Sequence, residues 1–241
     1  MATSTLALVG VAGGAGTTRM TIELAATLSR AARSVAVLDV AFGTQGLATY
    51  VDGRITDDIT AVATGEAPLE AALYAADYDV PGRVAICPAH APFERLARAK
   101  TPDAARAVET AIADAAARFD HVLLDVPPVA ANQSVAALTT AKRRALVAPA
   151  TQRGVDLLPR QRGRLRDLDA AADAVVATRT DAPEAVAIED ADVELPDGDP
   201  VGPSALDTTS AVAPAAAAAA EELLDVTLDL TFEEPGLLDR F

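Results

Sequence analysis

The stretch Leu6-Ala7-Leu8-Val9-Gly10-Val11-Ala12-Gly13-Gly14-Ala15-Gly16-Thr17-Thr18-Arg19 decides the reading of this chain. An apolar run, Leu6 to Val9, passes through a glycine turn into Met20-Thr21-Ile22-Glu23-Leu24-Ala25-Ala26, so a buried strand is expected to lead into a helix. Such a turn lets backbone N–H groups close around phosphate oxygens at a helix N-terminus, and a hydroxyl at Thr18 is placed to hold magnesium. The candidate nucleotide-binding residues are therefore Gly13, Gly14, Ala15, Gly16, Thr17 and Thr18. The loop contains no lysine. Thr17 stands where a phosphate loop carries the lysine that reaches the β/γ-phosphates, and threonine supplies neither the charge nor the reach. Taken alone, the segment is also compatible with a tight strand-to-helix turn of another α/β fold.

Two further runs narrow that choice. Ser34-Val35-Ala36-Val37-Leu38-Asp39-Val40 and Phe119-Asp120-His121-Val122-Leu123-Leu124-Asp125-Val126-Pro127-Pro128 both read as buried strands with an aspartate near the carboxyl end. Ligands of open parallel sheets sit beyond those ends, so Asp39 and Asp125 are expected to converge on the loop. With the Thr18 hydroxyl they make an oxygen-rich magnesium environment. Strands are expected near 5–11, 35–40, 83–87, 121–126, 144–149 and 173–178, and helices near 17–32, 66–76, 102–118, 131–141 and 154–170. This alternation predicts an α/β fold: a three-layer, doubly wound, mostly parallel sheet with helices on both faces. Residues 1–226 read as one domain and 227–241 as an acidic C-terminal tail, with Asp197 to Ser204 a loop and Pro214 opening a last helix.

In motif and order the chain resembles the ParA/MinD family of P-loop ATPases. That family's loop typically reads K-G-G-x-G-K-T-T, matched here by Ala12-Gly13-Gly14-Ala15-Gly16-Thr17-Thr18-Arg19. Asp39 falls on the first aspartate of the family's D-x-D, followed by Gln45-Gly46-Leu47-Ala48. Gly65-Glu66-Ala67-Pro68-Leu69-Glu70-Ala71-Ala72 is similar to a G-E-x-P-L-E-E-A helix, Ala85-Ile86-Cys87-Pro88-Ala89 to a V-L-P-A-G strand end, and Leu124-Asp125-Val126-Pro127-Pro128 to the Walker B run. The resemblance implies a P-loop fold, ATP and magnesium as cofactors, a homodimer, a protein partner, and work in intracellular positioning, partitioning or assembly, as in cell division and chromosome partitioning.

The departures fall on the chemistry. Ala12 replaces the signature lysine, Thr17 the Walker lysine and Ala41 the second aspartate of D-x-D. The strand end Val175-Val176-Ala177-Thr178-Arg179 lacks the family's base-reading asparagine. Losing one preorganised cationic contact costs about three orders of magnitude in phosphoryl-transfer rate, and here several are absent. The pattern resembles a pseudo-ATPase with no assigned catalytic residue; an active ATPase and a nucleotide-free adaptor remain as alternatives. Arg19 is a weak substitute for lysine, because it starts two positions further on.

Composition sets the surroundings. The 241 residues carry 35 acidic against 20 basic groups, a formal charge of -15, with Lys100 and Lys142 as the lysines. That balance matches proteins of a high-salt cytoplasm, where screening tames acidic self-repulsion, and suggests a halophilic archaeon. No basic leader precedes a long apolar stretch, so a cytoplasmic protein without signal peptide is expected. Cys87 forms no internal disulfide and reads as a buried strand thiol. Asp229, Glu233, Glu234 and Asp239 oppose binding to anionic lipid, whereas Phe232, Leu237, Leu238 and Phe241 suit a protein groove. Arg160, Arg162, Arg164 and Arg166 offer a DNA or acidic-partner surface, against a solvated and salt-paired helix.

Overall fold

The computed structural model describes residues 3–129, 131–199 and 201–233. Along the chain β1 (Ser4–Gly10) leads into α1 (Thr17–Arg30), β2 (Ser34–Asp39), α2 (Ile59–Ala63), β3 (Tyr74–Ala76), β4 (Arg83–Cys87), α3 (Phe93–Arg98) and α4 (Pro102–Ala116). There follow β5 (His121–Val126), α5 (Asn132–Thr140), β6 (Arg143–Pro149), α6 (Gln152–Asp167), β7 (Ala174–Thr178), β8 (Val193–Leu195) and α7 (Val212–Leu224). The strands form one eight-stranded sheet in the order β3-β4-β2-β5-β1-β6-β7-β8. Every pairing is parallel except that of β3 with β4.

The continuous apolar runs of the central strands follow from burial on both faces. Ala7 and Val9 pack with Leu38, Leu124 and Leu146 against α4, α5 and α6, through Val108, Ile112, Leu138, Leu158 and Leu165. Leu6 and Leu8 point the other way, with Val37, Leu123 and Val147, toward Ile22 and Leu24 of α1 and Ala216 and Leu223 of α7. Full burial of each leucine or isoleucine contributes roughly 1.5–3 kcal/mol, so both helical layers hold the sheet strongly. This is the expected three-layer, doubly wound architecture.

Four elements were not anticipated, and one expectation is overturned. The helix expected at 66–76 is a 3-10 turn over Leu69–Ala72 followed by strand β3. Its alanines favour helix, but the chain is already extended at Leu73 (φ -95°, ψ 120°), and pairing with the open edge of β4 prevails. The Tyr74 hydroxyl fixes that course by donating to Asp57 O at 2.8 Å and accepting from the N–H groups of Thr56 and Asp57. Short α2 and α3 carry too few turns to show a periodicity. α2 depends on Asp58, a buried carboxylate that caps Ala61 N–H at 3.0 Å and accepts from His90 N–H at 2.7 Å. α7 begins two residues before Pro214, which lies in its first turn where its missing N–H costs little.

Residues 226–232 form neither helix nor strand; Val226 and Leu228 pack on the cluster that holds α1 and α7, Leu230 and Phe232 are half-buried, and the residues between these four are exposed. Arg30 donates to Thr231 O at 3.0 Å and lies 5.2 Å from the Phe232 ring centre. Leu237, Leu238 and Phe241 of the suggested docking tail lie outside the described residues.

Candidate functional site

β1 ends at Gly10, and the loop returns at Gly16 to start α1. Gly14 (φ 75°) and Gly16 (φ 88°) take left-handed backbone that other residues resist. Gly16 occupies the N-cap position of α1, and no side chain caps the first turn, so its leading N–H groups face the cleft. Val11 N–H donates to Val147 O at 2.9 Å, tying the loop to β6. The Thr178 hydroxyl donates to Ala15 O at 2.8 Å, tying it to β7. A cleft of about 310 Å³ opens here, lined by Ala12 to Thr18, Ala41, Thr44, Gly46, Asp125 to Pro128, and Arg179. That volume lies at the small end of ligand sites.

The structure brings Thr18, Asp39 and Asp125 together. Asp39 and Asp125 are register partners across β2 and β5, on the sheet face that carries α1. Thr18 Oγ1 donates to Asp125 Oδ2 at 2.5 Å. Asp39 Oδ1 accepts from Ala41 N–H at 2.9 Å and its Oδ2 from Ala89 N–H at 3.3 Å. Both carboxylates are buried. Burial first, and the Asp125 charge second, push the Asp39 carboxyl up to about 8, against the pull of those backbone donors. Burial likewise raises Asp125, to about 6, moderated by the Thr18 hydroxyl. Two acids that resist joint ionisation are a place where a divalent cation is favourable. The donors are all oxygen, as magnesium requires, so Thr18, Asp39 and Asp125 would be the groups to hold it. Among the described residues no group of three or more His, Cys, Asp and Glu is arranged to hold a metal.

None of the loop residues that line the cleft is cationic. A Cβ added at Gly10 would lie 2.7 Å from Thr17 Oγ1, so the Thr17 hydroxyl sits close against the end of β1. Ala41 is 4% exposed and adds no polar atom to the cleft beyond its backbone. Arg19 is committed elsewhere: it pairs with the buried Glu23 and donates to Asp199 O and to Ser204 Oγ. Glu23 also accepts from Ser204 N–H at 2.9 Å and Ala205 N–H at 2.7 Å, which pins the loop before α7 onto α1.

Sequence reasoning missed three contributors. Gly46 is pressed so closely on Thr18 that a Cβ there would stand 3.0 Å from its hydroxyl. Thr178 latches the loop, and Arg179 lines the cleft. Elsewhere, Cys87 is buried and burial pushes its thiol well up, as a strand thiol behaves. The α6 arginines form no single basic face: Arg162 pairs with Asp190 at 2.6 Å and Arg164 bonds Val129 O, whereas Arg160 and Arg166 are exposed. Among the described residues no helix is long and apolar enough to cross a membrane.

No protein-family model and no curated protein matches the sequence. Solved structures do. Septum site-determining protein MinD of Pyrococcus horikoshii, complexed with Mg-ADP, superposes with TM-score 0.77 at 21% identity, over 91% of this chain and 95% of that one. The MinC:MinD cell division complex of Aquifex aeolicus gives TM-score 0.73 at 20% identity, over 96% and 99%. An ATP complex of a Cyanothece McdA variant gives 0.60 at 17%, over 98% and 84%. At these identities the likeness is one of fold, a mostly parallel P-loop-type sheet.

Proposed function

We propose that this chain is a divergent ParA/MinD-type protein that retains a nucleotide cradle and has lost the means of hydrolysis, acting as a homodimeric positioning or assembly scaffold with a protein partner. One observation carries the reading: Thr18 of the glycine loop is hydrogen-bonded to Asp125 at 2.5 Å while Thr17, at the lysine position, is turned against Gly10. The parts built from backbone and hydroxyl groups are in place; those built from charge are not. MinD with Mg-ADP and McdA with ATP share the fold, which supports ATP and magnesium as the ligands here. Gly13 to Thr18 would cradle the phosphates, and Thr18, Asp39 and Asp125 would hold the ion.

The likeness to MinD in complex with MinC supports a protein partner. The acidic tail argues against direct docking on anionic lipid, and the split arginines of α6 make DNA a weak second choice. The net charge of -15 fits a haloarchaeal cytoplasm. The same Thr18–Asp125 bond favours one other reading, in which the site is closed on itself and the protein is a nucleotide-free adaptor. Titration with a fluorescent ATP analogue and magnesium in molar salt separates them: saturable binding is expected, and its absence selects the adaptor.

A further inference from the structure

We propose that Arg179 supplies the cationic contact to the nucleotide's phosphates that Thr17 and Ala12 no longer give, reaching the cleft from the end of β7 instead of from the loop. This rests on the nucleotide-binding reading above. Arg179 and Asp125 are the ionisable side chains that line the cleft. Among the described residues the Arg179 guanidinium has no ion pair and no hydrogen bond. Arg19, the cation closest to it in the sequence of the loop, is already held by Glu23 and Ser204. An arginine left unpaired beside a loop of bare N–H groups, in a chain with 35 acidic residues, calls for an anionic occupant.

The backbone fixes where Arg179 starts. Thr178, its neighbour, donates to Ala15 O at 2.8 Å, and a Cβ at Gly16 would meet the Thr178 hydroxyl at 3.3 Å. The end of β7 is thereby clamped to the half of the loop that opens α1. Arg179 itself takes left-handed backbone (φ 58°), a conformation that favours glycine or asparagine. The turn beyond is held by Ala182 N–H on Arg179 O at 3.3 Å and by Asp197 N–H on Asp181 Oδ1 at 2.7 Å. A strained, clamped backbone under a free side chain at a cleft is the pattern of a functional position. The guanidinium is always charged and offers paired donors to phosphate oxygens, so a single arginine covers the loss of a point-charge lysine.

The test is titration of a fluorescent ATP analogue with magnesium, in molar salt, on wild type, Arg179→Gly, Arg179→Lys and Arg160→Ala. Glycine suits the left-handed backbone, so Arg179→Gly melts no lower than wild type and its affinity reads the side chain alone. Its Kd rises about tenfold or more, Arg179→Lys recovers part of that loss, and Arg160→Ala, which removes an exposed α6 charge, stays within about twofold. The inhibition constant of inorganic tripolyphosphate, obtained from competition corrected for each protein's Kd, rises from wild type to Arg179→Gly by a similar factor. Equal Kd values for wild type and Arg179→Gly overturn the proposal and leave nucleotide binding standing. A tripolyphosphate inhibition constant unchanged by Arg179→Gly also overturns it, moving the arginine to base or ribose. Failure of wild type to bind any analogue overturns the nucleotide reading itself, and the proposal with it.

Discussion

Two halves of one cleft have fared differently. The β1–α1 loop keeps its left-handed glycines, its uncapped helix start and its latch from Thr178, all of which act through backbone. The turn after β2 packs Gly46 on Thr18 and at Ala41 brings only a methyl group to the cleft, which offers no charge. Binding built from N–H groups survives the loss of side chains. Chemistry built from side-chain charge does not, because positioned charge supplies most of the catalysis of phosphoryl transfer.

The largest break in this comparison is Gly16→Val. A β-branched residue cannot take φ 88°, and its side chain meets Thr178 at 3.3 Å, so the cradle distorts. Nucleotide affinity is expected to fall at least about a hundredfold, while the fold loses roughly 1–3 kcal/mol from strain, read by denaturant melts. The reverse change, Thr17→Lys, restores an ammonium facing the β/γ-phosphates and should tighten ATP-magnesium binding about tenfold by calorimetry. Adding Ala12→Lys should do little in the isolated protomer. No gain from Thr17→Lys would mean that the space behind the loop, against Gly10, has closed.

Ala41→Asp tests the other half. It sets a third carboxylate beside Asp39 and Asp125, which already resist ionising together. The metal-free protein should lose roughly 1–3 kcal/mol, recovered in part by magnesium, with turnover still low while Thr17 stays. Asp39→Asn tests the pH dependence of the same pair. Because burial raises the Asp39 carboxyl to about 8, the folded state binds more protons than the unfolded chain from about pH 4 to 8. Wild-type stability in chelator therefore falls as pH rises through that window, and Asp39→Asn flattens the fall. A pH profile unchanged by the substitution would place the repulsion elsewhere.

How far the sequence carried this picture depends on the length of the signal. β4 and β5 were placed at their observed bounds, and the other core strands within a residue, since unbroken apolar runs between turn signals leave few alternatives. Asp39 and Asp125 were legible for a topological reason: both lie at the carboxyl ends of parallel strands, where ligands of such sheets sit, and those strands are neighbours. β3, β8, α2 and α3 were not, because three to six residues hold no period and their placement comes from tertiary pairing. The 66–76 segment shows propensity losing to an open sheet edge. Arg179 and the Thr178 latch escaped for another reason: their meaning lies in a contact between chain positions more than 160 residues apart.

The central claim is that this cleft holds nucleotide without turning it over. Steady-state phosphate release by wild type at saturating ATP-magnesium in molar salt tests it most directly, with Thr18→Ala as the reference. The account predicts release no faster than the buffer control in both proteins. Measurable turnover in wild type that Thr18→Ala abolishes would contradict it.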